Sequence, residues 1–324
     1  MDKLKTIVFI SFIFLVSYPG LARACDICSL YSAMQLKDRK GGSLTLSVTE
    51  QFTDFKRTSS EQGVAIRDGE ITRSFSTTQL GLIADLSDRL AVQWVTPIVN
   101  RRVDKFENFR SVTENDYGLG DMSFAAHYTL VRVPDLERSF YWSISSGVKL
   151  PTGSTGALAD VDDGSLVTRH HSVGGGGGRV LSRGSGSYDF MLGTAVLTTI
   201  DRWFLNADTE YNYRTEGDFS YEFADDILWS AGAGYQLVLD HDYTIGAALF
   251  IAGEHKGHDT LAGQSVAQSR VDNIFVGPEF VFTHVSGLQG FLSAHFPVSD
   301  AGDSTTLVPR FRAKGGLSYR FSLL

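Results

Sequence analysis

From residue 44 onward, apolar side chains alternate with polar or small ones over stretches of about ten positions, the period-two signature of a strand with two unlike faces. Twelve stretches read this way: 44–48, 80–86, 90–98, 122–130, 140–148, 188–196, 205–213, 227–237, 243–251, 274–282, 288–296 and 317–323. Helical stripes are scarce. The connections alternate as well. Ser87-Asp88-Arg89, the pair Asp201-Arg202 and Asp240-His241-Asp242 make tight turns, and the fourth-to-fifth and tenth-to-eleventh connections are also short. The others, 56–73, 103–116, 151–186, 215–225, 255–270 and 298–308, are long and polar. The glycine run 174–178 followed by Arg179-Val180-Leu181 could form a strand, but that would put a long loop on the short-turn side, so it stays in the loop. An even strand count with short turns at one end and long loops at the other predicts an all-β fold, a transmembrane antiparallel β-barrel of about 12 strands. Its short turns are then periplasmic and its long loops extracellular.

The second face of each strand fits an enclosed polar interior. Alternation turns Gln93, His127, Lys149, Asp208, Glu210, Arg214, Glu279, His295, Arg312, Lys314 and Arg320 inward. The three cations of the last strand would face Asp208 and Glu210 and set up a transverse field. Aromatic residues sit on the apolar face or at strand ends, where a barrel places them at the lipid–water interfaces. Pro278 interrupts the tenth strand and cannot donate to a ladder, so hydrophobic cargo would favour an exit there. Twelve strands lie between the filled eight-stranded barrel and the open sixteen-stranded porin, so conduction is expected to be narrow.

The chain begins with basic Lys3 and Lys5, an apolar run over 7–16 and the small-x-small sequence Ala22-Arg23-Ala24, which together read as a signal peptide over 1–24. The domain plan is then a signal peptide (1–24), a periplasmic N-terminal segment (25–41) and an outer-membrane barrel (42–324). Export together with the barrel pattern points to the outer membrane of a Gram-negative bacterium. No later run is long and apolar enough for a transmembrane helix. Across 324 residues, 29 Lys+Arg against 37 Asp+Glu give a formal charge of −8, which argues against a nucleic-acid partner. Two cysteines exclude a disulfide-stapled scaffold, while 22 Phe, 12 Tyr and 33 Gly suit an aromatic-rich β protein. Cys25 and Cys28 form a Cys-x-x-Cys pair that reads as a local disulfide or as a redox or metal pair.

Other candidate chemistry is sparse. His170 and His171 lie near Asp160, Asp162 and Asp163 in the longest loop and are weak metal candidates beside the simpler reading of a solvated loop. His284-Val285-Ser286 is the nearest approach to a hydrolase pair, but it falls in a tight periplasmic turn, and no catalytic residue is assigned. No cofactor is implied. The end of the chain, Lys314-x-Gly316-x-x-Tyr319-x-Phe321, resembles the insertion signal read by the barrel-assembly machinery, although it continues through Ser322-Leu323-Leu324. Gly316, Tyr319 and Phe321 carry that likeness.

Three further motifs carry a family resemblance over about residues 115–324. Gly118-Leu119-Gly120-Asp121 opens the fourth strand, Ser146-Gly147-Val148-Lys149-Leu150-Pro151-Thr152-Gly153 closes the fifth, and Gly186-Ser187-Tyr188-Asp189 opens the sixth. In this order they resemble outer-membrane proteins of the phenol-degradation MetA-pathway, or transporter, family. The resemblance implies a barrel that passes small solutes, hydrophobic ones among them, and brings no catalytic residues. The function expected is passive passage across the outer membrane, with lipid and a small-molecule solute as partners. The alternative is a non-conducting surface barrel whose long loops bind a partner or a metal.

Overall fold

A computed structural model describes residues 41–57, 71–107, 110–135, 138–158, 182–266, 269–300 and 307–323. The proposed signal peptide, Cys25 and Cys28, His170 and His171 and the glycine run 174–178 lie outside the described residues.

The chain runs through β1 (Ser43–Arg57), β2 (Ile71–Asp85), β3 (Leu90–Glu107), β4 (Arg110–Leu119), β5 (Ser123–Val133), β6 (Arg138–Lys149), β7 (Asp189–Ile200) and β8 (Trp203–Tyr213). It continues through β9 (Tyr221–Glu222), β10 (Asp226–Leu239), β11 (Tyr243–Lys256), β12 (Thr260–Leu261), β13 (Gln264–Ser265), β14 (Val271–His284), β15 (Leu288–Asp300) and β16 (Leu307–Ser322). Each long strand pairs antiparallel with its sequence neighbours, and β16 returns to pair with β1 from Ser43 opposite Ser322 to Arg57 opposite Leu307. β4 and β5 share one place in the ring. β3 pairs with β5 along its first half, Leu90 opposite Tyr128, and with β4 along its second, Glu107 opposite Arg110. The result is a closed twelve-stranded antiparallel barrel, and all twelve expected strands lie in it. Hydrogen-bonded partners climb as they go round: from Ser43 at the foot of β1 the ladder reaches Asp300 at the top of β15, the tilt that closing such a sheet demands.

The strands outrun their apolar faces. Residues 103–116, expected as a loop, are mostly strand: β3 continues to Glu107 and β4 returns from Arg110. The alternation fades there because both faces leave the apolar belt, and polar contacts take over. Arg102 Nε donates to Asp104 Oδ2 at 3.0 Å, and Thr113 Oγ1 donates to Asp104 Oδ1 at 2.6 Å. The connections after β8 and β11 likewise hold structure, a three-stranded sheet in the order β13-β12-β9.

Outside the ring, apolar side chains stand exposed, Leu192 at 62% and Leu317 at 63% among them. On a protein surrounded by water such a belt would drive association; around a barrel it is the surface that lipid covers. No helix among the described residues is long and apolar enough to cross a membrane. The outward apolar run is long on β14, where Ile274, Val276, Pro278, Phe280 and Phe282 follow one another. It is short on β2, where Leu80, Leu82 and Ala84 give way to Thr78 and Ser76, whose hydroxyls donate to the outward carboxylate of Glu50. Aromatic rings stand at both ends: near the short turns Trp203 meets Tyr235 edge-on at 5.0 Å and Tyr319 lies 5.9 Å from Phe321, and near the long loops Tyr117, Phe190 and Tyr213 are exposed.

The β14–β15 ladder is interrupted. Pairing runs from Asn273 to Val276 and resumes at Glu279, skipping Gly277 and Pro278. Pro278 has no N–H to offer, and Gly277 packs so closely that a Cβ would come 1.8 Å from the Ala294 carbonyl oxygen. Gly277→Ala is expected to destabilise the barrel by about 1–3 kcal/mol through forced backbone displacement. Gly257→Ala, whose Cβ would meet Ala224 Cβ at an ordinary 3.4 Å, is expected to leave it unchanged. Urea titration of both variants in detergent micelles checks the difference.

Candidate functional site

From the long-loop end to the short turns, the inward face is a stack of polar and apolar layers. At the rim, the three family-like motifs converge on one buried network. Lys149, last residue of β6, reaches Asp189 Oδ2 at 2.5 Å and Asp121 Oδ2 at 3.2 Å. Arg214, just past β8, donates to Asp189 Oδ2 at 2.9 Å and also pairs with Asp226, which opens β10. Asp121 in turn accepts from the Gly153 amide, the Ser185 amide and the Ser185 hydroxyl at 2.8–2.9 Å. Ser187 Oγ donates to Asp189 Oδ1 at 2.7 Å. Both arms of the longest loop are therefore tied to the barrel rim. Burial makes these pairs strong only because each carboxylate collects several donors.

Beside this network the loops fold over the interior. Leu158, fully buried, packs with Tyr221 of β9, and Phe223, Leu261 and Val266 close around them. Asp259 holds the cover in place: it pairs with Lys256 Nζ at 2.5 Å and accepts from Tyr221 Oη at 2.6 Å and the Ala224 amide at 3.0 Å. Below, Arg312 pairs with Glu254, donates to Thr53 Oγ1 at 3.1 Å and lies over the Phe275 ring at 4.5 Å.

The middle of the barrel holds Asp208, Glu210, Glu279, His295 and Lys314. Asp208 Oδ1 accepts from Ser230 Oγ at 2.6 Å, and the Lys314 ammonium lies within electrostatic reach of Asp208, Glu279 and Glu254. One step nearer the short turns, Phe204, Ala248 and Val281 form an apolar belt with Phe250 and Phe291. Against Val281 and Phe291, a chamber of about 70 Å³ is lined also by Ser47, Thr49, Gln79, Gln93, Gln289 and Ser318 among others. A smaller hollow of about 30 Å³ touches His127, Ser143, Ser145, Asp208 and Glu210.

The structure sorts the sequence-predicted inward residues into groups. Gln93 Oε1 and His127 Nε2 meet at 2.8 Å. Lys149 and Arg214 belong to the rim network, and Asp208, Glu210, Glu279, His295 and Lys314 to the middle. The last strand does not carry a bare basic stripe: Arg312 is engaged by Glu254, and Arg320, at the short-turn end, lies 3.9 Å from Asp85 and 3.3 Å from Thr45 Oγ1. Gly316 faces inward beneath Phe291, while Tyr319 and Phe321 face outward. His284 Nδ1 and Ser286 Oγ hydrogen-bond at 2.8 Å in the exposed β14–β15 turn. Asp226, Glu254, Lys256 and Asp259 escaped sequence reading. The available signal was position: each except Asp259 sits on the inward parity at the long-loop end of its strand. Among the described residues there is no group of three or more His, Cys, Asp or Glu that could hold a metal ion.

No protein-family profile matches the chain, and no curated protein matches it. Solved structures do. The crystal structure of an outer membrane channel from Pseudomonas putida F1 is similar at TM-score 0.59 and 13% identity, covering 88% of this chain and 98% of that one. The β domain of the Bordetella autotransporter Brka gives 0.45 at 10% identity, covering 86% and 99%. The transport unit of the autotransporter AIDA-I from Escherichia coli gives 0.45 at 9%, covering 93% and 95%. At such identities the likeness is one of fold, that of an outer-membrane β-barrel.

Removing Lys149 leaves Asp121 and Asp189 buried with one cation fewer, a change of the kind that costs about 3–5 kcal/mol. Lys149→Met is expected to lower the urea midpoint of the detergent-folded barrel accordingly. Combining it with Asp189→Asn is expected to recover part of the loss.

Proposed function

We propose that this chain is an outer-membrane channel through which small solutes, hydrophobic ones included, pass by diffusion. The observation that carries this reading is a hydrogen-bonding interior, with a chamber of about 70 Å³, enclosed by a wall whose outer face is apolar. Amides, hydroxyls and charges line the axis, where each inward polar group must find a protein partner or a solute in a low-dielectric space. The expected setting follows: residues 1–24 are removed on export, the short turns face the periplasm, and the loops face outward. Gly316, Tyr319 and Phe321 present the last strand to the assembly machinery, and lipid covers the apolar belt. The meeting of the Asp121, Lys149 and Asp189 motifs in one network supports kinship with the MetA-pathway family. The likeness to the Pseudomonas putida F1 channel agrees with the reading in fold. Chemistry is not part of it: the residues assigned to the path bind and orient.

A second reading has an observation of its own. The cover built by Leu158, Tyr221 and the β9, β12 and β13 sheet offers a formed outer surface, as a non-conducting barrel that binds a partner or metal with its loops would require.

Planar-bilayer recording of the detergent-folded chain lacking residues 1–24, beside a variant that also lacks residues 159–181, separates the two. Small steady steps from the first protein are the expected result, because the layered interior is narrow. Steps from the loop deletion alone would make the loop a gate. Silence from both, with folding demonstrated by a heat-dependent shift on a gel, would sink the channel and leave the outer surface as the working part.

A further inference from the structure

We propose that the inward-facing Asp208, Glu279, Ser293, His295 and Lys314 form a binding station for small cations, primary ammonium compounds included, and that it makes the barrel prefer cations. The proposal rests on the channel reading and adds the class of solute. Strand register brings its members together. Glu279 stands opposite Ser293, Ser293 opposite Lys314, and His295 opposite Arg312. Asp208 enters from β8, with its carboxylate held by Ser230 and within electrostatic reach of Lys314 and Glu279.

Two side chains mark the place as more than a group of acids. Ser293 and His295 are only 4% and 5% exposed, both on the inward face. Among the described residues, Ser293 Oγ, both ring nitrogens of His295 and Oε1 of Glu210 have no hydrogen-bond partner. Polar groups buried in this way cost about 1–3 kcal/mol each when unmatched, and a solute that matches them gains what they lose. Acceptors dominate the set: two carboxylates, a hydroxyl and an imidazole nitrogen, with the free Glu210 oxygen nearby. An ammonium group carries three donors and no acceptor, so it complements them.

Charge points the same way. Arg312 is engaged by Glu254, and Lys314 lies within electrostatic reach of Asp208, Glu279 and Glu254. Excess carboxylate in a narrow, low-dielectric passage concentrates cations and repels anions. The apolar belt beneath suits the carbon body of an organic cation, with Phe250 6.5 Å from His295 and aromatic faces that attract positive charge.

The test is the reversal potential of single channels in an asymmetric KCl gradient, repeated with methylammonium chloride. The wild-type protein is expected to reverse on the cation side with both salts. Asp208→Asn combined with Glu279→Gln should bring the cation-to-anion ratio toward one, and Lys314→Gln should raise it. Because the double variant could fail to fold, a heat-dependent gel shift accompanies it, and Glu279→Gln alone provides the same comparison. A wild type that is unselective or prefers anions, or a ratio that folded variants do not move, overturns the station and leaves the channel standing. Folded protein that conducts neither with nor without residues 159–181 overturns both.

Discussion

The seam between β1 and β16 is the constraint on which the rest of the molecule depends. In a hydrocarbon layer an unpaired peptide group costs several kcal/mol, so a sheet survives there only without edges. The seam joins segments at opposite ends of the barrel sequence and keeps its register from Ser43 to Arg57 with a single shift between Asp54 and Phe55. Once it closes, each side chain has one of two fates, lipid or interior. The alternation of the sequence is a record of that choice.

The interior then poses a problem of its own. Water cannot solvate charges freely in so narrow a space, and the chain answers by pairing them across strands. Lys149 and Arg214 divide Asp121, Asp189 and Asp226 between them, Arg312 takes Glu254, and Lys256 takes Asp259. These pairs crowd the long-loop end, where they also pin the returning chain. The middle is less fully matched: Ser293 Oγ and both ring nitrogens of His295 are buried there with no hydrogen-bond partner among the described residues.

Legibility in the sequence followed the same physics. All twelve ring strands could be read because each has a lipid face and an interior face, and the contrast survives at single-residue resolution. The upper parts of β3 and β4 could not, because outside the apolar belt Arg102, Asp104 and Thr113 carry no such contrast. The inward side of Asp208, Glu210, Glu279 and Lys314 was evident from parity, but their neighbours were not. Asp121 meets Ser185 across 64 positions, and Arg312 meets Glu254 across 58. No local period encodes such distances. The pairing of Arg312 and Arg320 with acids on other strands is why the last strand looked more basic than its surroundings are.

The unequal height of the apolar face has a consequence for the surrounding bilayer. Five outward apolar positions follow one another on β14, whereas on β2 the run gives way above Leu80 to Thr78 and Ser76, turned toward Glu50. A layer of uniform thickness cannot match both sides of an upright barrel, so the protein leans or the lipid beside β1 and β2 thins. Acyl chains on the two flanks are then held differently. Either response gives the barrel a front and a back within the plane of the membrane.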